Sequence, residues 1–319
     1  MGCGLVNTHC SEGHYKVFEP EDSPACKSYE GGTKEDIVRA IRGENFLSAG
    51  IATSRGRRGH NEDSFYMCCD WFVENSVHVG FFAVCDGHGG SQVSDLLVET
   101  LPSAIARKLA DVGKAVNEIS ADDMKDVYLM LEQHLLDLNT NQKYEDVGST
   151  CVCAAVINCG ARLLIANCGD SRGLVLRCAH ESPAQLIDST IDHKPSLEGE
   201  RQRIESADGI VLKGRIDGQI SVSRALGNFK YKDCLKLPAN KQKLIAEPDI
   251  YEFDAVHGST VVLACDGIFG SLSNERVSDH LRLNCSDPSV TADAIVKDAF
   301  QEGSMDNLTC LVVHLGQSS

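Results

Sequence analysis

No C-x-x-C pair occurs anywhere along the 319 residues, and the cysteines and histidines never cluster at the spacing a structural zinc ion needs. No C-x-x-x-x-x-R run exists either, which excludes cysteine-based phosphatase chemistry, and there is no G-x-x-x-x-G-K-[ST] loop to cradle a nucleotide. No apolar run approaches the ~20 residues of a membrane-spanning helix. The start, Met1-Gly2-Cys3-Gly4, lacks the basic-then-apolar order of a secretory signal. Positive charge is scarce: 30 Lys and Arg stand against 46 Asp and Glu, a formal net charge of -16. That balance disfavours nucleic acid and anionic membrane surfaces as nonspecific partners. Internal repeats and low-complexity segments are absent as well.

What is present is an ordinary globular composition, 42% apolar and 24% charged, long enough for one large core. The 15 cysteines are an odd number. Cys151 and Cys153 alternate and so share one strand face, while Cys85, Cys168, Cys265 and Cys310 sit inside apolar runs. These read as reduced thiols packed as small hydrophobes in a cytoplasmic protein.

Residues 1–47 are polar and mixed, and read as an extension with a helix near 35–42. Residues 48–319 read as a single domain. Runs rich in Val, Ile, Leu and Cys predict strands at 65–69, 78–86, 150–158, 162–167, 173–177, 184–187, 220–222, 260–265 and 308–315. Helices are predicted at 91–110, from Ser120 onward with Asp123 as its capping partner, at 274–283 and at 288–301. Strands without alternating helices argue for antiparallel sheets. The fold class is therefore α+β: a central antiparallel β-sandwich with helices outside.

Acidic pairs recur at the ends of these strands: Glu62-Asp63, Asp86-Gly87, Asp266-Gly267 and Asp306-Asn307. Carboxylate oxygens gathered from distant segments suit Mg2+ or Mn2+, and the Gly87 carbonyl adds a further oxygen. Two such ions about 4 Å apart would share a water and ionise it near neutral pH. The run Arg55-Gly-Arg57-Arg58 offers guanidinium groups for a phosphate. His88, just beyond Asp86, is suited to protonate a leaving alkoxide.

Taken together, ordered blocks over residues 50–315 resemble the metal-dependent protein Ser/Thr phosphatases, the protein phosphatase 2C family. The blocks are Arg58-Gly-His-Asn-Glu62-Asp63, Phe82-Ala-Val-Cys-Asp86-Gly-His-Gly-Gly90, Gly148-Ser-Thr150, Ala166-Asn-Cys-Gly-Asp170-Ser-Arg172-Gly, Asp192-His-Lys-Pro195, Glu200-Arg-Gln-Arg-Ile204, Ser221-Val-Ser-Arg-Ala-Leu-Gly227, Ala264-Cys-Asp266-Gly-Ile268 and Gly303-Ser-Met-Asp306-Asn307.

The resemblance implies a four-layer α-β-β-α fold with the metals in a cleft at one end. It implies a phosphoserine and phosphothreonine phosphatase acting on phosphoproteins as a monomer, in which a hydroxide held by two metals attacks phosphorus in line. Asp86 would bridge both ions. Asp266 and Asp306 would complete one, and Glu62 and the Gly87 carbonyl the other. Arg58 would bind the substrate phosphate, His88 would be the general acid, Asp170 would help hold a weaker third ion, and Asp63 would support the site from behind.

The sequence departs from the family pattern at Gly270 and Asn228, each standing where an Asp is usual. These losses of charge motivate an alternative: a catalytically impaired member that binds phosphoproteins as a scaffold. The variable flap, at about 229–246, carries Lys230, Lys232, Lys236, Lys241 and Lys243, a basic set suited to acidic peptide flanks. At the start, Gly2 and Cys3 read as a dual acylation signal for membrane association, although Val6 stands where Ser or Thr is preferred.

Overall fold

A computed structural model describes residues 37–42, 47–74, 77–179, 182–254, 256–283 and 287–316. The acylation reading of Gly2 and Cys3, and most of the predicted extension, lie outside these residues. In chain order the strands are β1 (Ile37–Arg42), β2 (Leu47–Ser54), β3 (Ser64–Glu74), β4 (Val77–Cys85), β5 (Gly87–His88), β6 (Gly148–Ser149), β7 (Cys151–Ile157), β8 (Arg162–Cys168), β9 (Arg172–Ala179), β10 (Ser182–Ser189), β11 (Val211–Leu212), β12 (Arg215–Ile216), β13 (Leu226–Gly227), β14 (Asp249–Asp254), β15 (Ser259–Ala264) and β16 (Leu308–Leu315). The helices are α1 (Gln92–Asp111), α2 (Ala121–Leu138), α3 (Glu198–Ser206), α4 (Asp266–Phe269), α5 (Asn274–Leu283) and α6 (Pro288–Gln301).

Both faces of the central strands are apolar, and that dictates the layers. In β4, Phe82 and Val84 point into the core between the sheets, while Phe81, Ala83 and Cys85 point into a second core beneath α1 and α2. Strand β7 repeats the pattern, with Val152, Ala154 and Val156 inward and Cys151, Cys153 and Ala155 toward the helices. A strand buried on both sides alternates between two cores, so it reads as a continuous apolar run even in an antiparallel sheet. Each buried Phe or Leu is worth roughly 1.5–3 kcal/mol of transfer free energy. One sheet has the order β1-β2-β16-β15-β9-β10 and the other β14-β8-β7-β4-β3. Helices α5 and α6 cover the first sheet, and α1 and α2 the second. The α+β sandwich expected from the sequence is the fold observed. No helix among the described residues is long and apolar enough to cross a membrane.

Two predicted elements differ. Residues 37–42 form a strand, not a helix: β1 pairs antiparallel with β2 from Ile37↔Thr53 to Arg42↔Ser48, so the sheet begins before the expected boundary at residue 48. β-Branched Ile37, Val38 and Ile41 suit a strand, and pairing along the edge of β2 fixes it as one. Residues 220–222 form no strand. Ile220 makes an isolated bridge to Ile216, and Val222 packs in a small cluster with Ile204, Ile216, Ala225, Tyr231 and Leu244. Strands β2 and β14 and helix α3 were not expected, α3 because it carries little apolar patterning.

The Ser120 cap is as the sequence indicates. Its Oγ accepts from the Asp123 amide, and the Asp123 carboxylate accepts from the Ser120 amide. The thiols of Cys85, Cys151, Cys153, Cys168, Cys265 and Cys310 are buried and unbridged.

Candidate metal centre

Strand register gathers the acidic positions at one end of the sandwich. Ser64 pairs with Cys85, which sets Glu62 and Asp63 beside Asp86. Ala264 pairs with Cys310, so Asp266 leaves β15 where Asp306 enters β16. Cys151 pairs with Cys168, which brings Asp170 to the same edge. Arg58, Glu62, Asp86, Gly87, His88, Asp170, Asp266 and Asp306 all line one open cleft of about 630 Å³. A smaller hollow of about 350 Å³ between β2 and α6 contains none of them.

Asp63 does not line the cleft. It is 3% exposed, and its Oδ2 accepts from Thr309 Oγ1 at 2.6 Å. Its amide donates to Asn61 Oδ1 at 3.1 Å. Glu62 is held from the other side: its amide donates to Asn307 Oδ1 at 2.9 Å, while Asn307 Nδ2 donates to the carbonyls of Arg55 and His60. Asn307 thus splints the loop that carries Arg58 and Glu62.

The Asp86 carbonyl accepts from the Thr150 amide at 2.9 Å and from Ser149 Oγ at 3.0 Å, which fixes the strand end. A Cβ at Gly87 would collide with the Glu62 carbonyl, and one at Gly267 with the Asn307 carbonyl. Those positions need glycine because two backbones touch there.

Electrostatics mark the cleft as short of cations. Burial raises the Asp86 carboxyl well above its ordinary value, and the charges of Asp63, Asp266, Asp170 and Asp306 raise it further. Burial, then Asp170, Asp306 and Asp63, push the Asp266 carboxyl up to about 7 against the pull of Lys194. The group of potential ligand atoms lying within 4.8 Å of one another joins Asp86 to Asp63 and the Cys265 thiol, both buried behind the cleft, and not to Glu62, Asp266 or Asp306. Crowded oxygen donors that repel when ionised fit divalent cations, which would replace that repulsion with attraction. The residues present therefore fit Mg2+ or Mn2+.

Two protein cations enter the cluster. Arg58 Nη2 donates to Asp306 Oδ2 at 2.7 Å and its Nε to the Met305 carbonyl at 2.9 Å, leaving the guanidinium side chain 56% exposed to the cleft. Lys194 pairs with Asp170, whose side chain is 2% exposed. Burial works against the Lys194 ammonium, yet Asp170 holds its pKa above the ordinary lysine value.

His88 Nε2 bonds to Asn228 Oδ1 at 2.6 Å, and burial lowers the imidazole pKa. Gly270 closes α4 with its amide on the Asp266 carbonyl at 2.6 Å and brings no carboxylate to the cleft.

The flap differs from a free basic patch. Lys232 Nζ bonds Glu132 at 2.5 Å and the Ala225 carbonyl at 2.7 Å, Lys243 pairs with Asp217 at 2.9 Å, and Lys230 pairs with Asp146. Of the flap lysines only Lys230 lines the cleft, where Arg215 and Lys194 join it, and sequence reasoning assigned neither of the latter two a role. Lys194 lies in the Asp192-His-Lys-Pro195 block, which was the available signal.

The protein phosphatase 2C family model matches residues 49–308. Protein phosphatase 1L of Bos taurus is 30% identical over 280 residues, covering 84% of this chain and 72% of that protein. Probable protein phosphatase 2C 59 of Arabidopsis thaliana is 35% identical over 272 residues, covering 84% and 79%. Among solved structures, a Toxoplasma gondii phosphatase superposes with a TM-score of 0.69 at 23% identity, covering 85% of this chain and 93% of the other. The serine-threonine phosphatase 2C of the same organism gives 0.68 at 20% identity, covering 88% and 98%. At these identities the structural likeness speaks to the fold.

Proposed function

The chain belongs to the protein phosphatase 2C family, and from that premise we propose how this protein serine/threonine phosphatase works. The phosphoserine or phosphothreonine ester of a substrate protein would be hydrolysed directly by water, and the acids of the cleft would hold two Mg2+ or Mn2+ ions. Asp86 would serve both ions, Asp266 and Asp306 one, and Glu62 with the Gly87 carbonyl the other. When bound, such ions supply a water that ionises near neutral pH and neutralise charge on the phosphoryl group. The observation that carries the reading is the convergence of these residues on one cleft where burial and mutual repulsion raise Asp86 and Asp266.

The chain's own groups divide the remaining work. Arg58, tethered to Asp306 yet half exposed, keeps donors for a phosphate oxygen. Asn228 commits Nε2 of His88, so proton donation to the leaving serine or threonine oxygen falls to Nδ1. Burial lowers the proton affinity of that ring, which makes its cationic form a stronger acid. Asp63 stays beneath, held by Thr309, and stiffens the loop bearing Glu62.

The scaffold alternative rests on Gly270 and Asn228, and neither removes a residue from the proposed two-ion set. A manganese-dependent assay on a phosphopeptide, with Asp266→Asn as control, tests the reading. Turnover well above the control is expected, and turnover equal to it sinks the proposal. For the amino terminus we retain dual acylation of Gly2 and Cys3, which a Gly2→Ala protein fractionating like the native one would remove.

A further inference from the structure

We propose that the Lys194 ammonium is a tethered cation that fills the accessory position at Asp170, so that this chain takes up two divalent ions and not three. The inference rests on the two-ion reading above and concerns a residue which that reading leaves without a role.

Asp170 is the most enclosed acid of the cleft, and Lys194 Nζ sits directly on its Oδ2. The lysine is held there by its neighbours. Asp192 takes both arms of the Arg172 guanidinium, at 2.8 and 2.9 Å. His193 accepts at Nδ1 from the Gly169 amide at 3.0 Å and bonds Asp249 through Nε2 at 3.1 Å, while its own amide donates to the Gly169 carbonyl at 2.8 Å. Gly169 adjoins Asp170, so one short ladder positions the lysine and its carboxylate together. The ammonium also reaches the field of Asp266.

A single buried carboxylate already neutralised by lysine does not fit another divalent ion. The chain thus supplies by covalent attachment the charge that a loosely held ion would bring.

The test counts Mn2+ bound per chain at saturation, by calorimetry and by the electron paramagnetic resonance of free Mn2+. Native protein is expected to bind two, Lys194→Gln three, Lys194→Arg two, and the Lys194→Gln/Asp170→Asn double variant two. Three ions on the native protein, or two on Lys194→Gln, overturn the proposal. Should Lys194→Gln not fold, Asp170→Asn alone decides. It leaves the count at two if lysine holds the position and lowers it from three if an ion does. A native count of zero or one instead overturns the two-ion reading, and this inference with it.

Discussion

His88 donates through Nε2 to Oδ1 of Asn228 across 2.6 Å, joining the edge of the cleft to a residue 140 positions later in the chain. The amide oxygen only accepts, so the bond also selects the ring tautomer. Asn228 is pinned in turn: it is buried, in the left-handed backbone region with φ 51°, and its Oδ1 occupies the space that a Cβ at Gly148 would take. Replacing it by alanine frees the ring without touching any proposed metal ligand. We expect Asn228→Ala to lower kcat about tenfold, a fraction of what complete loss of a general acid costs, with little change in KM. Steady-state kinetics on a phosphopeptide decide this, and an unchanged kcat removes the orienting role.

Asp86 lies at the centre of the mutual repulsion. Its ionised form is disfavoured by burial and by four neighbouring acids. In metal-free protein, Asp86→Asn is expected to raise the melting temperature, by ~2 °C for each kcal/mol of repulsion relieved. The rise that Mn2+ brings to the native protein should shrink in the variant. Differential scanning fluorimetry with and without chelator reads both changes.

Thr309 is fully buried and bonds Asp63 at 2.6 Å and Thr53 at 2.7 Å. Thr309→Val keeps the shape and deletes the donor. The expected cost is about 1–3 kcal/mol, because the Asp63 carboxylate loses a buried partner. Urea denaturation monitors the loss.

His193, and after it Arg224, hold the Asp249 carboxyl at about 2, against an ordinary 3.8, although burial opposes them. A depressed carboxyl contributes stability above its unfolded pKa, and that contribution disappears as the pH falls through the folded value. Between about pH 4 and pH 2 the unfolded chain takes up the proton first, so native protein loses stability. Asp249→Asn should flatten this acid limb. The side chain is 45% exposed, so solvent screening keeps the effect modest. Denaturation midpoints across that pH window, compared between the two proteins, check the sign.

Much of this was legible in the sequence because the central strands are apolar on both faces. Runs such as 260–265 and 308–315 are unambiguous, and an acid at the end of such a run has nowhere to go but the rim of the sheet. The grouping of Glu62, Asp86, Asp266 and Asp306 followed from that. Harder to read were contacts made by ordinary residues far apart in the chain. Thr309 reaches Asp63 across 246 positions, and nothing about a threonine inside a strand announces a carboxylate beneath it. Lys194 stood inside a recognisable block, yet its partner Asp170 could be identified only in three dimensions. Strand β1 was misread because its fate is decided by pairing with β2, which the local sequence does not show. The flap lysines looked like a uniform basic patch, but ion pairs commit three of them.

The cleft straddles the seam of the sandwich. Glu62 and Asp86 hang from the β3–β4 pair in one sheet, whereas Asp266 and Asp306 hang from the β15–β16 pair in the other. Each sheet carries only half of the proposed centre, which would make the site a clasp between two slabs as much as a place of reaction. Cations that engage both sets would resist sliding and peeling of the slabs, and slowed amide exchange at β4 and β15 would record that grip. A cut that frees one sheet from the other would therefore dismantle the chemistry along with the fold.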